Sequence, residues 1–438
     1  FCVTRTDGSQ MTSQPTASNV RDDDQMSETM SEIDASEVVM ASDLIISSEF
    51  ELGPEDVPAT DDESDGDGYD DESVAEGMDD GAASSSAALP DEDIEDLSAA
   101  QLRAHSAPVY SVAVNGAQPS CFATGGGDDV ALLWETSNLG NPVHTLRGHT
   151  ETISSIAFSA DGELVATGGL DGIVRVWGTQ AGAEVAVLEG PTQGMNWLCW
   201  HHRGQVLLAG SEDATAWMWK LPEGSVMQIF SAHSASVSYG GFANNGRAVI
   251  TASEDGTVRL WNPRAGTVDH CIHVGDFHEP VAVTCLGVHP AQPIFLFGAE
   301  NGRLKLAHAE NGKVLALLTA HEGSVENVDF CDCMPLAASG GMDGRLCVWD
   351  LNSFHLRHTC MHTAGVIEVQ FRRATAMVLS CSVSREIRLW DARDGSCAKV
   401  LTGHRDAVLC MAIAYTQQGV CVLSGSDDNT ARIWTLDV

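Results

Sequence analysis

An all-β chain of eight four-stranded units closed into a ring, an eight-bladed β-propeller, is the fold class this sequence predicts, and three observations predict it. A pattern of alternating apolar residues broken by tight turns recurs along the chain. A tryptophan ends the third run of nearly every copy, and the tryptophans are almost evenly spaced. The clearest copy is GHTETISSIAFSADGELVATGGLDGIVRVW, from Gly148 to Trp177. Its first run (Ile153, Ile156, Phe158) meets a turn at Asp161-Gly162, its second (Leu164 to Thr167) meets Asp171-Gly172, and its third ends on Trp177. Period-two alternation interrupted by Asp-Gly pairs is the pattern of successive antiparallel hairpins, so each unit is expected to be a small meander.

The chain opens differently. Residues 1–97 hold 29 Asp or Glu against 2 Arg, and so carry most of the chain's net charge of −39. Residues 1–93 are poor in aromatics and culminate in DDESDGDGYDDES, from Asp61 to Ser73. Such a segment buries too little apolar surface to offset its ordering entropy, so a disordered acidic tail is expected there. It reads either as a solubilising arm or as an anionic arm for a basic partner. The start, FCVTRTDGSQ, lacks a methionine and any signal or transit character. Met11 is a candidate translation start, which makes residues 1–10 a candidate foreign segment.

From Ile94 onward the units follow. Their closing tryptophans are Trp134, Trp177, Trp219, Trp261, Trp349, Trp390 and Trp434, with Ala307 in the one slot that lacks its tryptophan. Successive spacings of 43, 42, 42, 46, 42, 41 and 44 define eight units, and periods of 40–45 residues belong to propeller blades. Three further marks keep register. A histidine stands 28 to 30 residues before the tryptophan slot: His105, His149, His233, His278, His321, His362 and His404. An aspartate stands six before it: Asp128, Asp171, Asp213, Asp255, Asp343 and Asp428. A hydroxyl stands four residues before that aspartate position: Thr124, Thr167, Thr251, Ser339, Ser380 and Ser424.

With these marks the units resemble WD40 repeats from about Ile94 to Val438. In that family the four marked residues form a buried hydrogen-bond chain, and the full set is available in five units: His105, Thr124, Asp128 and Trp134; His149, Thr167, Asp171 and Trp177; His233, Thr251, Asp255 and Trp261; His321, Ser339, Asp343 and Trp349; His404, Ser424, Asp428 and Trp434. Buried indole and imidazole groups need such partners. These residues therefore read as structural tetrads, and no catalytic triad is expected among them. The last unit ends directly after its third strand, while IEDLSAAQLRAH before the first unit reads as a fourth strand without a blade. Pairing residues near 94–103 with Ala431 to Trp434 would close the ring and remove its exposed edges.

Catalytic, cofactor and metal chemistry find no support. The glycine-rich GGGDD at Gly125 to Asp129 lacks the Gly-Lys-Ser/Thr of a phosphate loop. The pairs Glu212-Asp213 and Glu254-Asp255 occupy equivalent turns, so they read as repeat chemistry. Thirteen scattered cysteines, with no secretory signal, suit reduced thiols in the cytoplasm, with the nucleus as a second location. Cys331 and Cys333 have no second pair at zinc-site spacing, and His270, Cys271, His273 and His278 span a strand and the loop after it. Four lysines in a strongly acidic chain argue against nucleic acid, and no apolar run approaches a bilayer span. A basic protein partner is what the charge favours, bound by a monomer.

Two stretches are more specific, MNWLCWHHRGQVLLAGSEDATAWMWKLPEG (Met195 to Gly224) and CMPLAASGGMDGRLCVWDLNSFHLRHTCMHTAGVIEV (Cys333 to Val369). They resemble the angio-associated migratory cell protein family, which includes the fungal dedicated chaperone of a large-subunit ribosomal protein of the uL16 class. The resemblance implies a non-enzymatic propeller that captures the basic N-terminal segment of that ribosomal protein and hands it on for 60S assembly. The alternative is a signalling or cytoskeletal scaffold acting in cell migration. The acidic residues expected on the partner-binding top face are Glu151, Glu212, Glu254, Glu300, Glu322 and Asp427, with Glu326 nearby on an inner strand. Unit three departs from the pattern, with Pro191 for the histidine and Ala209 for the hydroxyl, and adds Trp197, Trp200 and Trp217. These aromatics either pack the blade or form a hydrophobic docking site beside the acidic ring. Unit five departs too, with Phe297, Asn301 and Ala307.

Overall fold

The computed structural model describes residues 95–275, 280–416 and 419–436. The acidic segment 1–93 and His278 lie outside the described residues. The strands form eight four-stranded antiparallel sheets. Their inner strands are Val109–Val114, Ile153–Phe158, Met195–Trp200, Tyr239–Ala243, Val283–Val288, Val325–Phe330, Val366–Phe371 and Val408–Thr416, numbered here as blades one to eight. Each inner strand packs on the next, and the eighth packs on the first, so the sheets form a closed ring.

Burial along each blade follows from this arrangement. The first three strands are flanked by both neighbouring blades, and Cys121–Gly126 and Leu164–Gly169 are buried at every position. The outer strand faces solvent, and in Glu184–Leu188 and Ser225–Phe230 only the last residue is buried. The apolar clusters accordingly lie between blades: Leu133 and Leu146 of blade one pack with Ile156, Phe158 and Trp177 of blade two. Such spacing leaves no room for side chains at certain points. A Cβ on Gly425 would stand 2.7 Å from Val109 Cγ1, across the contact that joins blade eight to blade one.

The same junction is sealed from the N-terminal side. Strand Ala100–Leu102 adds to blade eight, with Ala100 opposite Ile433 and Leu102 opposite Ala431. Around it, Leu97 N–H donates to the Thr402 carbonyl at 2.9 Å, and Arg432 forms an ion pair with Asp96. Leu102 is buried against Val130, Leu132 and Ile433, so it ties the closing strand to both end blades. Truncation of this side chain should leave a cavity at the closure. Leu102→Ala is expected to lower the unfolding free energy by about 2–5 kcal/mol in urea denaturation. A change within about 0.5 kcal/mol would show that the strand adds nothing to the ring.

Candidate functional site

The top face of the ring carries the turns between second and third strands and the connections that enter each inner strand. The hydrogen-bond tetrads hold these two kinds of loop together. In blade one, Trp134 Nε1–H donates to Thr124 Oγ1 at 3.0 Å, His105 Nε2 is 2.8 Å from that oxygen, and His105 Nδ1 is 2.9 Å from Asp128. The same chain links Trp177, Thr167, His149 and Asp171, and Trp261, Thr251, His233 and Asp255. It recurs through Trp349, Ser339, His321 and Asp343, and through Trp434, Ser424, His404 and Asp428.

Proton direction in each chain is dictated by the indole, which can only donate. The hydroxyl accepts from tryptophan and gives its own proton to Nε2, leaving Nδ1–H for the carboxylate. Each of these hydroxyls is fully buried and accepts an indole N–H, so it is enclosed within its blade away from any substrate. Each aspartate also accepts the backbone N–H of the residue after the histidine, as Thr150 N–H does to Asp171 and Arg405 N–H to Asp428. Burial alone would raise the Asp255 carboxyl, but hydrogen bonds from His233 and Thr257 overcome it and hold the group well below its ordinary range. Burial lowers His149, His321 and His404 despite their paired carboxylates, which keeps these imidazoles neutral.

Blades three and seven break the chain in different ways. In blade three the indole of Trp219 has no hydroxyl opposite it, since Ala209 fills that place, and its Nε1 has no partner. Aromatic packing replaces the tetrad. Trp197 and Trp200 are buried, and their indoles donate to the carbonyls of Val237 at 3.1 Å and Ala157 at 3.0 Å. The docking role considered for Trp197 and Trp200 is therefore corrected: both face neighbouring blades and present no surface to a partner. Trp217 is half-buried, stacked on Trp219 at 5.9 Å and hydrogen-bonded to Thr215. In blade seven, His362 and Trp390 both bond Ser380, but Ser384 stands in the aspartate slot. Its N–H donates to Ser382 Oγ as those of Asp255 and Asp428 do to Ser253 and Ser426. The Nδ1 of His362 consequently lacks a partner, and burial, helped by Arg388, pushes the group down to about 3.

Beside each aspartate slot sits a residue displayed on the top face. Its N–H donates to the carbonyl just before the inner strand, at 2.8–3.0 Å in all eight blades: Gly127, Leu170, Glu212, Glu254, Glu300, Met342, Val383 and Asp427. These residues therefore occupy equivalent places. Glu212, Glu254 and Glu300 form an exposed acidic arc across blades three to five, and Asp427 is exposed in blade eight. Burial raises the Asp427 carboxyl, and repulsion from Asp406 and Asp428 adds to this, so a cation there would be favoured. Leu170, Met342 and Val383 are apolar and 39%, 50% and 39% exposed. The expectation of an acidic face does not include them, although each lies seven residues before its tryptophan. Glu151 and Glu322 lie in the loops entering blades two and six, both exposed, but Glu322 is paired with Arg345 at 2.6 Å. Glu326 is half-buried, one residue into its inner strand.

At the position equivalent to Glu326 the ring is divided, Ser238 standing just before its inner strand and the others second in theirs. Ser154, Ser238 and Thr284 donate to the carbonyls of Met195, Val283 and Val325 in the following blades, and Asn196 bonds Val237. Blades six to eight and blade one carry Glu326, Ile367, Leu409 and Tyr110 there instead. Deeper in the channel, a cavity of about 240 Å³ is lined by Asn327, Asp329, Glu368 and Gln370 among others. Glu368 accepts the Met411 N–H at 2.8 Å, and burial pushes its carboxyl up to about 8. Core thiols are similarly suppressed: burial raises Cys285 and Cys347 to about 12. Of the His/Cys cluster around residue 270, the structure brings together Cys271 and His273 at 3.8 Å, with His278 outside the described residues.

Five segments, residues 140–178, 182–220, 224–262, 312–350 and 395–435, match the profile described as WD domain, G-beta repeat. The angio-associated migratory cell protein of Homo sapiens is 30% identical over 345 residues, covering 75% of this chain and 78% of that protein. The chain belongs to the WD40-repeat family. Its match to the angio-associated migratory cell protein of Canis lupus familiaris has the same identity and extent. Among solved structures, Sqt1 of Saccharomyces cerevisiae superposes with a TM-score of 0.73 at 21% identity, covering 78% of this chain and all of that one. Chaetomium thermophilum Sqt1 bound to the N-terminus of ribosomal protein L10 gives a TM-score of 0.72 at 23% identity, with 78% and 100% coverage. At such identities these two likenesses speak for the fold. WD40 propellers typically serve as non-enzymatic scaffolds. Among the described residues no helix is long and apolar enough to cross a membrane.

Two substitutions test the buried polar groups. Ser384→Asp should return an acceptor to His362 and raise the unfolding free energy by about 1 kcal/mol, read as a higher urea midpoint; an unchanged or lower midpoint would contradict the orphaned donor. Because the Glu368 carboxyl is raised in the folded state, its contribution is present below its unfolded value and lost as pH rises through about 8. Glu368→Gln should therefore stabilise the protein at pH well above 8 and leave it nearly unchanged in mild acid. Equal effects at both ends of a melting-temperature profile would refute this.

Proposed function

We propose that this chain is a non-enzymatic, monomeric protein-binding propeller that captures a basic protein segment on its acidic top face and acts as a dedicated chaperone of a large-subunit ribosomal protein of the uL16 class. The observation that carries the reading is the arc of Glu212, Glu254 and Glu300 at equivalent positions of consecutive blades, extended by Asp427. Equal placement sums their fields over one surface, which steers and orients a cationic partner more than any single carboxylate does. The Chaetomium thermophilum propeller of the same fold is bound to the N-terminus of ribosomal protein L10, which supplies the class of partner. Masking such a segment would keep a newborn ribosomal protein from aggregation and stray RNA until it joins the pre-60S particle. Glu326 at the channel mouth extends the acidic surface inward, Glu151 adds to its rim, and Glu322 contributes less because Arg345 neutralises it.

Apolar neighbours favour a segment that is basic without being uniformly charged. Met342 and Val383 continue the displayed ring next to the acidic arc, and the half-buried Ile367 and Leu409 stand at the second position of the inner strands of blades seven and eight. Partner association is placed in the cytoplasm, where reduced thiols persist, with the nucleus as a second compartment.

The reading is tested with the N-terminal peptide of the ribosomal protein and the full-length chain. Charge reversal of Glu212, Glu254 and Asp427 to lysine should weaken binding by roughly tenfold or more in fluorescence anisotropy, while circular dichroism and melting stay as in the parent. Binding by the parent should also fall as salt rises. Equal affinity of parent and triple variant would remove the acidic face from the proposal. Enrichment of kinases, GTPases or cytoskeletal proteins without a ribosomal protein in affinity capture would favour the scaffold alternative.

A further inference from the structure

On the face opposite the acidic ring, the turn between the first two strands of blade six carries Cys331, Asp332 and Cys333. Cys331 Sγ stands 3.6 Å from Cys333 Sγ. One ligand atom from each of the three side chains lies within 4.8 Å of the other two, a grouping found once among the described residues. Two sulfurs each about 2.3 Å from a tetrahedral zinc ion stand roughly 3.7 Å apart. A disulfide requires about 2.0 Å. The observed separation thus suits two sulfurs sharing a metal, and both would reach it with little movement.

Neighbouring backbone holds the turn in place. Asp332 accepts the Ala374 N–H on both carboxylate oxygens, at 3.0 and 3.1 Å, and Cys331 Sγ lies 3.5 Å from the Thr375 carbonyl. Both contacts reach the equivalent turn of blade seven, so the candidate ligands are oriented by a second blade. The Asp332 contact is of the kind that outer-shell partners contribute to metal sites, whereas the Cys331 thiol gives up its S–H contact to the Thr375 carbonyl when it loses its proton. Cys331 is buried at the base of the turn, whereas Asp332 and Cys333 are exposed.

We propose that Cys331, Asp332 and Cys333 form a zinc site with two thiolates, one carboxylate and a fourth position open to solvent. Formation of the two Zn–S bonds releases the two thiol protons to solvent, and no oxidant or reductant takes part. Asp332 binds through one oxygen and keeps the Ala374 N–H on the other. Three protein ligands and one open position leave room for water or a ligand donated by a partner. The site lies on the face away from the acidic arc and does not depend on what that arc binds.

Cobalt(II) is the probe, because its spectrum reports ligand type and geometry. The full-length chain, reduced and stripped with a chelator, should bind one equivalent, showing strong visible bands of a tetrahedral ion with sulfur-to-metal charge transfer, and zinc should displace it. Cys333→Ser should abolish this spectrum, and Asp332→Asn should weaken binding by roughly tenfold or more. Cys271→Ser and Cys397→Ser, at exposed thiols elsewhere, should leave it unchanged. Added zinc should raise the melting temperature of the parent and not that of Cys333→Ser. A pale octahedral spectrum, a tetrahedral one that survives Cys333→Ser, or two thiols that close to a disulfide and leave no metal binding would each overturn the proposal.

Discussion

The His–Asp contact at the top of each complete blade is the interaction on which the rest of the molecule depends. One carboxylate accepts an imidazole N–H and a backbone N–H, so it fastens the turn after the second strand to the loop that enters the first. Both loops lie on the same face. The contact is buried enough to be strong, and the tryptophan and hydroxyl behind it leave the imidazole one permitted tautomer. Stability and display are thereby joined, because the residue immediately before that aspartate projects from a turn whose position is already set. Glu254 beside Asp255 and Asp427 beside Asp428 show this pairing of a structural carboxylate with an exposed one.

Where the contact is missing, other forces take over. Blade three loses histidine and hydroxyl and gains buried tryptophans that bond to carbonyls of adjacent blades. Apolar area substitutes for a polar chain there, which is effective because aromatic side chains bury large surfaces. Blade seven keeps three of the four members and leaves a donor unmet, a cost normally of order 1–3 kcal/mol. These two blades, and blade five with Phe297, Asn301 and Ala307 in the marked slots, still close with their neighbours, since ring closure adds contacts on two sides of every sheet. The short strand Ala100–Leu102 completes that closure across more than three hundred residues of sequence separation.

Chemical character changes around the top face in a way that suits recognition of an extended segment. Blades three to five present carboxylates, whereas blades six and seven present Met342 and Val383. Hydroxyls at the channel mouth of blades two, four and five are spent on links to the next blade, while blades seven and eight carry the apolar Ile367 and Leu409 there, Ile367 packed on the cluster between those two blades. Charge sets approach and orientation, and apolar side chains supply area that water leaves on binding. The opposite face has a separate chemistry, concentrated in one turn of blade six and the turn of blade seven that it touches.

Much of this was legible in the residues themselves. Blade number, strand order and tetrad membership follow from local alternation, Asp-Gly turns and a period that side chains such as Trp177 and His149 mark at fixed offsets. Even the displayed ring is a counting result, seven positions before each tryptophan, including the apolar Leu170 and Met342 that a search for carboxylates passes over. Tertiary structure alone decided which features are available. It buried Trp197 and Trp200 against neighbouring blades, gave Glu322 an arginine partner, buried Glu368 in the wall of the cavity between the inner strands, and set Cys331 and Cys333 at a distance that spacing in sequence leaves open. The division has a physical origin. Backbone periodicity is written into adjacent residues, whereas burial, ion pairing and side-chain separation depend on which distant segments the closed ring presses together.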